Sequence, residues 1–60
     1  MMTHIPSDPV LCLSVINTKL RDFYPTLDSL CEDLKLDKES LILKLKTIDY
    51  EYDSTQNQFV

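Results

Sequence analysis

Apolar residues recur at helical spacing three times along this chain and then at strand spacing once. Over residues 8–24, Cys12, Leu13, Ile16, Leu20, Phe23 and Tyr24 fall on one face of a helical wheel. That i, i+3, i+4, i+7 pattern predicts a buried stripe. Asp8 is a preferred N-cap, and Pro9 costs no useful N–H at the first helical position. Pro25 biases Tyr24 away from helical geometry and ends the first helix. Residues 26–34 predict a second helix capped by Thr26, with Leu27, Leu30, Cys31 and Leu34 inward. Leu36 follows as a plug between helices. Residues 37–48 predict a third helix capped by Asp37, with Leu41, Leu45 and Ile48 inward.

The period then changes. Tyr50 and Tyr52 alternate with Glu51 and Asp53, which is the alternation of a strand. Residues 54–57 have turn composition, and 58–60 can return as a second strand. Two strands alone are not stable in water, so this hairpin over 49–60 must pack on the helices, with Tyr50 and Phe59 as anchors. Residues 1–7 lack periodicity and read as a frayed tail, in which His4 has no companion ligands for a metal. The fold class is therefore mainly α with a small β part. Three helices enclose a helix-turn-helix core, and a C-terminal hairpin follows in winged-helix order. The expected core is Leu13, Ile16, Leu20, Phe23, Leu27, Leu30, Cys31, Leu34, Leu36, Leu41, Leu45, Ile48, Tyr50 and Phe59, with Cys12 also facing inward.

Composition changes this picture in two ways. Glycine is absent, so any left-handed backbone position falls to Asn or Asp, and Asp49 and Asn57 are the expected ones. The 60 residues allow one domain, and a domain of that size buries only about 60% of its unfolded surface. Stability is then thin enough that a partner or a second copy would help.

The net charge of −4 opposes non-specific attraction to nucleic acid or to anionic membrane. No apolar run approaches the ~20 residues of a membrane helix, and no basic stretch precedes residues 10–16 as in a signal peptide. A cytoplasmic protein is the expectation. Two cysteines make no disulfide framework, and Cys31 reads as a small hydrophobe.

Two stretches carry resemblances. Leu30, Cys31, Leu34 and Leu36, followed by Leu41, Leu45 and Ile48, resemble the core of a small winged helix-turn-helix domain. Such domains often have glycine where Lys35 stands. Across nearly the whole chain from Pro6, the blocks Asn17-Thr18-Lys19-Leu20-Arg21-Asp22, Leu27-Asp28-Ser29-Leu30-Cys31-Glu32-Asp33-Leu34, Tyr50-Glu51-Tyr52-Asp53 and Asn57-Gln58-Phe59 resemble short bacterial proteins of the domain-of-unknown-function family number 4250. That resemblance implies no activity, cofactor or catalytic residue.

Leu11 with Val15, and Ile42 with Leu43, are apolar positions off the expected core, so they are candidate protein-interface residues for a homodimer or another protein partner. A non-catalytic interaction or self-associating module is the favoured reading. The alternative is a DNA-binding regulator of winged helix-turn-helix type, with Lys38, Lys44 and Lys46 as candidate contacts. Against it, residues 49–60 hold Asp49, Glu51 and Asp53 and no Lys or Arg. An enzyme is not expected. The carboxylates show no paired spacing, a glycine-rich phosphate loop is impossible, and neither CxxC nor HExxH occurs. No cofactor, catalytic residue, metal site, membrane contact or small-molecule substrate is expected.

Overall fold

The computed structural model describes residues 5–60; His4 lies outside them. Three helices, α1 (Pro9–Asp22), α2 (Leu27–Leu34) and α3 (Lys38–Lys46), precede two short strands, β1 (Tyr52–Asp53) and β2 (Gln58–Phe59). The strands pair antiparallel, with Tyr52 opposite Phe59 and Asp53 opposite Gln58. This is the mainly helical fold with a C-terminal hairpin that the periodicity implies. No helix among the described residues is long and apolar enough to cross a membrane.

Each helix start follows from local chemistry. The Asp8 carboxylate accepts the Leu11 N–H at 3.0 Å, and Pro9 opens α1. At α2, Thr26 and Ser29 form a capping box. The Ser29 N–H donates to Thr26 Oγ1 at 3.0 Å, and the Thr26 N–H donates to Ser29 Oγ at 3.3 Å. Two donors that a helix start leaves without partners are satisfied there. Asp37 stands at the N-cap of α3, but its side chain accepts the Ser40 hydroxyl at 2.6 Å instead of a backbone N–H.

The helix ends need the left-handed backbone that a glycine-free chain finds hard to supply. Asp49 and Asn57 have φ of 64° and 54°, as expected, and Lys35 joins them at 57°. Lys35 closes α2, where the Leu36 N–H reaches back to the Cys31 carbonyl at 2.9 Å. Asp49 closes the turn after α3, where the Tyr50 N–H reaches the Leu45 carbonyl at 3.1 Å. These bonds are the 6→1 closures of Schellman endings. At Lys35 and Asp49 they impose a conformation that suits Gly best and Asn next.

The core holds Cys12, Ile16, Leu20, Leu27, Leu30, Cys31, Leu41, Leu45 and Phe59, all buried. Leu13, Leu34, Leu36 and Ile48 pack on it half-buried. Two expected core residues are outside it. Phe23 is 70% exposed, because α1 ends at Asp22 and the backbone of Phe23 (φ −126°) leaves the helical path. The i+3 step from Leu20 therefore no longer points it inward. Its ring lies 5.8 Å from the Lys19 ammonium. Tyr50 is also exposed, since strand pairing begins only at Glu51. Tyr52, opposite Phe59, takes its place as the aromatic anchor, with ring centroids 5.5 Å apart.

The hairpin is tied to the helices by side-chain amides. The Asn57 amide N–H donates to the carbonyls of Leu20 (3.0 Å) and Tyr24 (2.9 Å) at the end of α1. Its carbonyl oxygen accepts the Tyr52 hydroxyl at 2.6 Å. That hydroxyl in turn accepts the Leu27 N–H at the start of α2, at 3.3 Å. Asn17 pairs with the backbone of Phe59 in both directions, accepting its N–H at 2.8 Å and donating to its carbonyl at 3.1 Å.

Lys35→Gly relieves a left-handed lysine. A gain of about 0.5–1 kcal/mol in unfolding free energy is expected by urea denaturation, after allowing for the entropy glycine adds to the unfolded chain. An unchanged or lower value would mean that the turn carries no such strain.

Candidate functional site

Helix α3 places the sequence-derived candidates on diverging faces. Lys38, Ile42 and Lys46 stand four residues apart and share one stripe. That stripe forms one wall of a groove whose other wall is Leu27, Tyr50, Glu51 and Tyr52. The groove holds about 330 Å³ and adjoins a hollow of about 380 Å³, which shares Leu27, Lys38 and Tyr52 and continues along Pro25, Thr26 and Ser54. The two hollows together run beside β1, with Ile42 and the two tyrosines supplying apolar surface over the buried Leu27.

The structure thus brings Ile42 together with Lys38 and Lys46, one interface candidate with two nucleic-acid candidates. Lys44 lies elsewhere, in a hollow with Ile5, Leu36, Asp37, Ser40 and Leu41. Leu43 is 64% exposed. On α1, Leu11 is 59% exposed and Val15 is half-buried. Val10, beside Leu11 in the first turn, is as exposed as Leu11. It belongs with the exposed apolar set, since its angle on the helix sets it off the stripe through Ile16 and Leu20.

Several of the polar and charged groups are already engaged. The Lys38 ammonium sits 2.6 Å from the Asp28 carboxylate, which holds the lysine pKa above its usual value. The Tyr24 hydroxyl donates to Asp33, and this bond raises the tyrosine pKa. The thiols of Cys12 and Cys31 are free and buried, and burial pushes both pKa values up. A thiol so placed is a poor nucleophile. The serine hydroxyls at Ser29 and Ser40 are engaged in helix-start bonds.

At the hairpin tip, Asp53 accepts the Thr55 N–H at 2.9 Å and the Gln56 side-chain N–H at 3.0 Å. These bonds favour the charged carboxylate and lower its pKa, the Thr55 backbone contributing most. The hairpin tip therefore favours the charged form of Asp53.

Asn17 and Asn57 are the polar residues that sequence reasoning placed differently. Asn17 reads as part of the wet side of α1, and Asn57 as a local turn residue. Both instead make contacts across more than thirty positions.

A family model described as Domain of unknown function (DUF4250) matches residues 6–59. No curated protein and no solved structure matches the chain.

The Asp53 bonds set a pH dependence. In the unfolded chain its carboxyl has an ordinary pKa, and in the native state a lower one. Its contribution is therefore complete above the ordinary value and is lost as pH falls through the native value. In a carbon-detected NMR titration, the Asp53 carboxyl is expected to titrate below the usual aspartate range, with the Thr55 amide following the same midpoint. A midpoint at or above that range would contradict the geometry.

Proposed function

The chain belongs to the DUF4250 family, a domain of unknown function, and on that premise we propose that it is a non-catalytic protein-association module. The observation that carries this reading is the exposure of Val10, Leu11 and Leu43, each about 60% open, on two helices of a domain that buries nine side chains among the described residues. Apolar side chains held in water on helices lose less ordering entropy on docking than a flexible segment does, and gathered apolar surface marks association sites. The half-buried Val15 stands one turn from Leu11 on α1, and the half-buried Ile42 precedes Leu43 on α3. The chemistry of the nucleophiles supports a non-catalytic role. The thiols are buried with raised pKa values, and the α2 and α3 serines are tied up at helix starts.

Duplex DNA binding has one observation in its favour, three lysines on a helix that follows a short turn. Several others weigh against it. Lys38 is paired with Asp28, Leu43 stands exposed between the remaining lysines, and a hairpin bearing Glu51 and Asp53 would meet phosphate with like charge. Phosphate contacts supply most of non-specific DNA affinity, so such a surface binds weakly.

Sedimentation equilibrium across the micromolar range tests the association reading. The wild-type mass is expected to rise with concentration above that of one chain. Leu11→Glu and Leu43→Glu, folded by circular dichroism, are expected to weaken the association at least about tenfold. Variants that associate as the wild type does would contradict it.

A further inference from the structure

The hairpin has two outer edges, and the helices treat them differently. The Glu51 and Val60 backbones exchange both hydrogen bonds, at 2.9 and 2.8 Å. In an antiparallel ladder such pairs alternate with pairs that make no bond to each other. Tyr52 and Phe59 are the next pair inward. The N–H and C=O of each therefore point away from the partner strand. On β2 those two groups are both taken by the Asn17 amide. On β1 the corresponding groups of Tyr52 have no partner among the described residues. An unpaired strand edge is a template for another strand. Alongside β1 run the two adjoining hollows, which share Leu27, Lys38 and Tyr52.

We infer that the outer edge of β1 is a docking edge for an extended segment of a different protein, of the pattern basic–apolar–basic. This rests on the association reading and names the chemistry of one partner. An added antiparallel strand places one residue opposite Tyr52, exchanging both backbone bonds with it. Its side chain shares the face of the Tyr52 ring and enters the groove beside Leu27 and Ile42, against the aliphatic stems of Lys38 and Lys46. The residues on either side lie opposite Glu51 and Asp53, on the other face. Opposite charges across a strand pair stabilise it and like charges oppose it.

A second copy of this chain does not fit. Pairing two β1 edges about Tyr52 sets Glu51 of each copy against Asp53 of the other. The chain's own basic–apolar–basic runs, Lys19-Leu20-Arg21 and Lys44-Leu45-Lys46, lie within α1 and α3 with Leu20 and Leu45 buried, so neither can be offered as a strand.

The test is titration of the isotope-labelled full chain with a capped peptide of alternating Lys and Val, followed by NMR. Shifts are expected at the Tyr52 amide, at Glu51 and Asp53, and at the methyl groups of Leu27 and Ile42. Saturation is expected below ~1 mM, since two backbone bonds and one side chain make a weak site. N-methylation of the peptide's central valine is expected to abolish binding, and Glu51→Lys to weaken it about fivefold or more. An alternating Glu–Val peptide is expected not to bind. The inference is overturned by absence of saturable binding, by equal binding of the Glu–Val or N-methylated peptide, or by shifts that map away from β1. Any of these with Leu11→Glu and Leu43→Glu still impairing association would remove the edge and leave the association reading standing.

Discussion

The amide of Asn57 is the constraint on which the rest of this structure depends. A hairpin of two-residue strands has no stability of its own in water. The last carbonyls of a helix and its first N–H groups also need partners that the helix cannot supply. One side chain meets both needs. Asn57 satisfies Leu20 and Tyr24 at the end of α1 and holds the Tyr52 hydroxyl, which satisfies Leu27 at the start of α2. Its backbone adopts a left-handed conformation that Asn tolerates better than most residues, so the turn and the tether require the same residue type. With the hairpin held, Phe59 fills the core between the helices. Asn17 then closes the β2 edge.

This arrangement accounts for the surface as well. Because β2 faces α1 and is sealed by Asn17, the open edge falls on β1, beside the α3 stripe of Lys38, Ile42 and Lys46. The acidic residues of that strand and the apolar residues of the groove flank the same edge, contributed by segments far apart in the chain. Capping at Asp8 and Thr26 fixes where the helices begin, and so which apolar side chains remain outside the core.

Much of the fold could be read from the residues. The caps at Asp8 and Thr26, the stripe through Ile16 and Leu20, and the left-handed positions at Asp49 and Asn57 all follow from local rules. Lys35 did not, since nothing in a lysine advertises positive φ; only its place between two leucine-bearing helices, where glycine is usual, hinted at it. Phe23 and Tyr50 were misplaced because periodicity assumes that an element continues, and both lie just outside one. The site was less legible. The spacing of Lys38, Ile42 and Lys46 shows a stripe, but the opposite wall comes from Leu27 and Tyr52, and a helical wheel carries no information about that. Asn17 looked solvated because amphipathic patterning separates apolar from polar and cannot tell water from a strand edge.

The unfolding free energy of Asn57→Gly, by urea denaturation, tests the central claim most directly. Glycine keeps the left-handed turn while removing the amide, and the entropy it adds to the unfolded chain is offset by the left-handed strain it relieves. Loss of its three side-chain hydrogen bonds is expected to cost about 2–3 kcal/mol. A cost under about 0.5 kcal/mol would contradict the account, because the hairpin would then be held by apolar packing without the tether.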